Sequence, residues 1–228
     1  LKDWRGGCPL LEGVLAIHTE DKESMLMNWP ERVWIYSPVR WFVQILEVKK
    51  WLRMGARTRV DRALEIGCGT GHGARIVARM MGYEDIVAFD IEENLIKKSV
   101  RNRPRLLSER LQFFVGDAQD LPFPDSYFDA VINFGIIHHV IDWRRSLREL
   151  SRVTKVGGLF CFEEIFPSLY ANALLGRLLR HPTQDRFDET QFLDELRTNN
   201  FRLFPKVRTG SKYRIIGVAE KTGEPSMP

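Results

Sequence analysis

Apolar positions along the chain change their spacing once, near residue 60. Between Ser37-Pro38 and Met54 they recur at Val39, Phe42, Val43, Leu46 and Trp51, which predicts one helix. A shorter helix is expected between Ser24 and Tyr36, interrupted by Pro30. From residue 61 the texture becomes strand and helix in alternation. Short apolar runs at Ala63–Ile66, Ile86–Phe89, Leu111–Val115, Phe128–Phe134 and Gly158–Glu163 read as strands. Helices are expected at His72–Met81, Glu92–Asn102 and Asp142–Val153. Such alternation predicts a mainly parallel sheet covered on both faces.

The end of the chain breaks that rhythm. Asp188 and Gln191 stand three apart like a capping box and open a helix to about Asn199. Two strands follow, Arg202–Val207 and Tyr213–Glu220, with Thr209-Gly210 in the loop between them, as a hairpin closing the sheet edge. The expected fold is therefore α/β, with a seven-stranded, mostly parallel sheet, a C-terminal antiparallel hairpin and a helical N-terminal cap. Residues 1–60 form that cap and hold five of the six tryptophans; residues 61–228 form the core, with an apolar and basic excursion at 166–187.

Composition narrows the class without choosing a function. The chain has 228 residues, 44% hydrophobic and 28% charged, ordinary for one soluble globular domain with additions. No apolar run approaches the roughly 18 residues of a membrane span, and no signal peptide opens the chain. It begins at Leu1 rather than Met, so residues before it are expected. Cys8, Cys68 and Cys161 share no metal-ligand spacing, which argues against a disulfide framework and a metal site and fits a reducing cytoplasm. A net charge of +4 hints at an anionic ligand or surface, but acidic residues are dispersed among the basic ones, and no nucleic-acid partner is expected.

The chemistry-bearing residues cluster where strands end. Leu64-Glu65-Ile66-Gly67-Cys68-Gly69-Thr70-Gly71 is a strand running into a glycine-rich turn, which lets backbone approach a ligand with helix amides aimed at it. A dinucleotide fingerprint counted from Gly67 would need glycine at His72; Gly69-x-Gly71-x-x-Ala74 satisfies its relaxed form. Glycine spacing therefore leaves a nicotinamide cofactor and S-adenosylmethionine (SAM) both open. Asp90, at the end of the second strand, suits the hydroxyls of a ribose or the cap of the next helix. Gly116-Asp117-Ala118 follows the third strand and offers an acid and an amide to an adenine edge. Asn133-Phe134-Gly135-Ile136-Ile137-His138-His139 follows the fourth.

Taken together, residues 61–165 resemble class I SAM-dependent methyltransferases, in the branch with ubiquinone and menaquinone C-methyltransferases and related small-molecule enzymes. The resemblance rests on Glu65 through Gly71, on Asp90, on Gly116-Asp117-Ala118 through Phe128-Asp129, and on Arg152 through Gly158, with Val156 where proline is usual. It implies a Rossmann-like fold and SAM as cofactor, with S-adenosylhomocysteine (SAH) as product. It places Gly67, Cys68, Gly69 and Gly71 against the methionine part, with Glu65 orienting its amino group. Asp90 would hold the ribose, Ile91 would pack on the adenine, and Asp117 and Ala118 would read its edge. Asn133 would present its backbone under the sulfonium, beside Phe134 and His138.

The acceptor is less sharply marked. A base is needed only when the acceptor loses a proton during attack, and His139, then His138, are the candidates. Glu163 and Glu164 end the fifth strand, where one of them is expected to face the acceptor. Trp29, Trp34 and Tyr36 are candidate walls of an acceptor pocket. The excursion, with Leu174-Leu175-Gly176-Arg177, reads as a lid that leaves room for peripheral contact with a membrane surface, without insertion. The Asn/Asp-Pro-Pro-Tyr type tetrapeptide of amino-directed nucleic-acid enzymes is missing after strand four. A small hydrophobic acceptor, quinone-like or aromatic and methylated at carbon or oxygen, is the leading expectation. An amine or lipid-headgroup N-methyltransferase and a silent SAM-binding scaffold remain alternatives.

Overall fold

A computed structural model describes Val33 and residues 37–170, 186–205, 208–211 and 213–223. Apart from Val33, the expected helix between Ser24 and Tyr36, with Trp29, Trp34 and Tyr36, lies outside the described residues, as does most of the 166–187 excursion.

Helix α1 (Pro38–Met54) starts where Ser37 Oγ accepts the amide of Val39 at 3.1 Å, with proline at the first helical position. It stops at Gly55, whose φ of 106° lets its amide turn back to the carbonyl of Leu52. Strand β1 (Arg62–Ile66) leads into α2 (His72–Met80), β2 (Asp85–Asp90) and α3 (Glu93–Arg101). Strands β3 (Leu111–Val115) and β4 (Phe128–Phe134) follow, then α4 (Trp143–Val153), capped by Asp142, and β5 (Thr154–Ile165). After one helical turn at Pro167–Tyr170, α5 (Glu189–Thr198) opens with the expected capping box, both bonds being present between Asp188 and Gln191. Strands β6 (Phe201–Leu203), β7 (Arg208–Ser211) and β8 (Arg214–Lys221) end the described chain.

The strands lie in the order β3-β2-β1-β4-β5-β8-β6, with β7 also paired to β8. The first five are mutually parallel and β8 runs antiparallel to β5, as the sequence predicts. The final pair differs in detail. Thr209-Gly210 lies in β7 rather than in a loop, because the strand that begins at Phe201 breaks and resumes. Phe204 still donates to the carbonyl of Val218, but Pro205 has no amide hydrogen to continue the ladder. β6 and β7 thus pair with successive parts of β8, and the seventh position in the sheet is held by two short pieces. Strand β5 begins four residues earlier than expected, pairing Thr154 with Phe128 before its register shifts.

Side chains alternate between two cores. Ala63, Ala130, Ile132 and Cys161 pack under α1, α2 and α3, whereas Leu64, Val131, Phe160 and Phe162 pack under α4 and α5. Helix α1 enters the first core directly. Trp51 is fully buried, its ring 4.8 Å from that of Phe134, and its Nε1 donates to the carbonyl of Phe162 at 3.1 Å.

Candidate cofactor and acceptor site

Parallel strands of an open α/β sheet leave their carboxyl ends facing one edge, and the marked residues gather there. Beyond β1, Gly67, Gly69 and Gly71 take φ of 61°, 54° and 75°, left-handed values that side chains disfavour. These turns fold the chain tightly between strand and helix. A Cβ on Gly67 would lie 2.5 Å from Ile136 Cγ2, so the loop after β4 closes directly on the glycine turn.

Asp90 ties this turn to the next. Its Oδ2 accepts the amide of Gly69 and its Oδ1 the amide of Glu92, each at 2.9 Å. Glu92, not Asp90, occupies the cap position of α3, so the carboxylate of Asp90 braces the turn before the helix. Burial pushes it up to about 6, against the pull of those two amides. Ile91 follows at the half-buried start of that turn.

Glu65 is the outlier of the site. It is 1% exposed in β1, and its Oε2 has no hydrogen-bond partner among the described residues. Burial raises its carboxyl to about 8, with the amide of Ala74 and the charge of Arg40 pulling the other way. Gly73, which the sequence reading passed over, makes room for it: a Cβ there would stand 2.1 Å from Glu65 Oε1 and 2.6 Å from Phe134 Cε2. The signal lay in Gly71-His72-Gly73, a glycine inside the first turn of a helix where propensity gives no reason for one. Gly73→Ala is therefore expected to weaken SAH binding by about tenfold or more, on the order of the 1–3 kcal/mol of an overpacked site. Isothermal titration of folded variant and wild type checks this, and equal affinities would refute it.

Asp117 and Ala118, expected at the adenine edge, follow β3. Asp117 Oδ1 accepts the amide of Gln119 at 2.8 Å, and Ala118 is buried beside it. Cys68 is buried, and burial drives its thiol well above the ordinary range.

At the ends of β4 and β5 the structure assembles two networks, one on each side of the sheet. Asn133, fully buried, donates to Glu164 Oε1 at 2.6 Å and accepts the amide of Ile136 at 3.0 Å. Glu164, also fully buried, takes the amide of Ile137 at 2.7 Å, and its Oε2 lies 2.7 Å from Nδ1 of His138. Its carboxyl is raised by burial to about 7. The rings of His138 and His139 lie 4.2 Å apart, so both sequence candidates are together, and a buried carboxylate holds a ring nitrogen of His138.

Glu163 faces the other way, as neighbours in a strand must. One of its oxygens would be 2.5 Å from a Cβ on Gly135, and the other is 3.4 Å from Arg214 Nε. Arg214 also bonds Glu47 at 3.0 Å, while Arg40 approaches Glu47 at 3.4 Å and donates to the carbonyl of Phe134. Burial raises both carboxyls, Glu47 to about 7. Arg40 and Glu47 had no motif of their own, and only the fold brings them to the edge, where the sequence already placed Glu164 beside Glu163. No group of three or more potential metal ligands occurs among the described residues.

A sheet of this order, with a glycine turn after its first strand, an acid after its second and a polar loop after its fourth, is the Rossmann-like α/β arrangement that the sequence resemblance implies. Residues 64–162 match the family described as "Methyltransferase domain". Over 106 residues the chain is 39% identical to a fatty-acid O-methyltransferase of Mycolicibacterium smegmatis, covering 46% of this chain and 38% of that protein. Over 112 residues it is 37% identical to a demethylmenaquinone methyltransferase of Geobacillus kaustophilus, covering 48% and 47%. The chain thus matches less than half the length of these curated relatives. Among solved structures, geranyl diphosphate C-methyltransferase from Streptomyces coelicolor, crystallised with SAH, shares the fold with a TM-score of 0.63 at 14% identity, over 78% of this chain and 79% of that one.

Proposed function

We propose that this chain transfers the methyl group of SAM to oxygen or carbon of a small hydrophobic acceptor, with His138 accepting the proton the acceptor loses. The observation that carries the reading is Glu65: a buried carboxyl oxygen without a partner among the described residues, beside a cradle of left-handed glycines, suits an ammonium group. An amino-acid moiety supplies one, so the residues present fit SAM. When bound, SAM supplies an activated methyl group on a sulfonium.

The chain's own residues do the rest. Gly67, Cys68, Gly69 and Gly71 line the methionine part with backbone, and Glu65 orients its ammonium. Asp90 has acceptor capacity left for ribose hydroxyls after its two amide bonds, since each carboxylate oxygen has two lone pairs. Ile91, Asp117 and Ala118 take the adenine, and Asn133 and Phe134 form the floor by backbone. Alignment of the acceptor in line with the transferred group supplies most of the acceleration, up to about 7–11 kcal/mol in favourable intramolecular cases. Glu164, holding Nδ1–H of His138, fixes the tautomer whose Nε2 carries the lone pair. Glu163 and the aromatic Trp29, Trp34 and Tyr36 belong to the acceptor side of this reading. Relatives named for fatty-acid and menaquinone substrates support an apolar acceptor bearing a group that sheds a proton.

Titration with SAH and with NADH, followed by transfer of labelled methyl from SAM to fatty acids and reduced quinones, tests the proposal. SAH alone should bind, and one acceptor class should take the label. NADH binding, or no label in either class, would overturn it. A second expectation follows from Glu65. At pH 7 its carboxyl, raised to about 8, is mostly protonated; an ammonium beside it lowers that value, so SAH binding should release close to one proton. Calorimetry in buffers of different ionisation enthalpy measures this, and proton uptake would contradict the placement.

A further inference from the structure

Helix α1 buries one side in the core and presents an unusual other side. Val39, Phe42 and Leu46 stand one above another at helical spacing, and they are 55%, 57% and 40% exposed. Trp41, 44% exposed, adjoins them. Further along the same stripe come Lys49, Lys50 and Arg53, all exposed. On the flank, Trp41 and Ile45 form a groove of about 440 Å³ with Ile76, Met80, Arg75 and Arg79. α1 and α2 together carry six Lys and Arg residues and one acid, and that acid, Glu47, is 1% exposed and paired to arginine. The outward surface of this helix pair is therefore apolar and purely cationic.

We propose that this surface docks on an anionic lipid bilayer. An amphipathic helix with large apolar side chains beside Lys and Arg lies in the interfacial plane, its apolar groups below the headgroups and its cations among them. Charge complementarity selects the partner: a second copy meeting this face with its own would set cation against cation, whereas anionic headgroups pair the fringe of cations while the acyl chains take the apolar groups. No helix among the described residues is long and apolar enough to cross a membrane, so the contact is peripheral. The apolar half of α1 is its N-terminal half, and Arg40 there reaches the carbonyl of Phe134 at the carboxyl edge of the sheet. A docked molecule would hold the candidate site against the bilayer that dissolves an apolar acceptor. This inference goes beyond the proposed reaction and needs no turnover to test.

The test is flotation of the purified full chain, without SAM, on phosphatidylcholine vesicles and on vesicles containing phosphatidylglycerol in equal proportion. Binding should be about tenfold or more stronger on the anionic vesicles and should weaken with salt. Phe42→Glu with Leu46→Glu, both at exposed positions, should abolish it, with the melting temperature and SAH affinity kept. A second variant, Lys49→Glu with Lys50→Glu and Arg53→Glu, should lose the preference for anionic lipid. Equal or absent binding to both vesicles would overturn the proposal. So would a Phe42/Leu46 variant that floats like wild type, or one whose only change is loss of self-association in light scattering.

Discussion

Glu164→Gln should slow methyl transfer by about 10²-fold or more, within the usual range for a lost acid–base group, while SAH affinity stays within about twofold. The substitution is nearly isosteric. Its amide oxygen can still accept from Asn133 and Ile137, so the loop after β4 keeps its anchor. What changes is the group 2.7 Å from Nδ1 of His138, which turns from acceptor to donor. The imidazole must then present a lone pair at Nδ1 and a proton at Nε2, the wrong tautomer for a base. Single-turnover transfer, measured beside the SAH isotherm, separates this from damage to the cofactor site. An unchanged rate would remove the His138–Glu164 pair from the mechanism, and a fall in both quantities would mean that Glu164 only holds the loop.

The second large effect is on stability. Trp51→Ala should cost about 3–5 kcal/mol, as truncation of buried large aromatic residues does. The ring packs on Phe134 and the indole hydrogen reaches into β5, so the change opens a cavity and removes a buried hydrogen bond to the carbonyl of Phe162 together. At about 2–4 °C per kcal/mol for a chain of this size, the melting temperature should drop by roughly 6–20 °C. Trp51→Phe should restore most of it, since only the hydrogen bond is then missing. A melt indistinguishable from wild type for Trp51→Ala would mean that α1 is held chiefly by other contacts.

That cost also bears on what could be read from the sequence. The strand–helix alternation after residue 61 was legible because the strands are apolar runs ended by turn signals, and α2, α4 and α5 open on a glycine or a capping side chain. Helix α1 was legible for the same reason, but its place was not: periodicity identifies an apolar face without saying what it meets. The cofactor edge was largely readable because glycine after a strand and aspartate after the next have local causes. Glu65 stood out in the sequence only through its motif neighbours, and its missing partner is a property of burial. Glu164 was seen beside Glu163, yet choosing between them needed the strand's facing, which sends one to His138 and the other to Arg214. The split into β6 and β7 was not foreseen, a single strand Arg202–Val207 being expected there, although Pro205 marked the break.

That break has a consequence for the molecule among its own copies. A continuous last strand from Phe201 to Ser211 would offer neighbours a long row of unpaired backbone groups, the template on which sheets polymerise edge to edge. Pieces of three and four residues, parted by a proline, give an incoming strand no run long enough to zip against. At high concentration the sheet should therefore end at this edge, leaving lateral growth into fibrils no foothold on it.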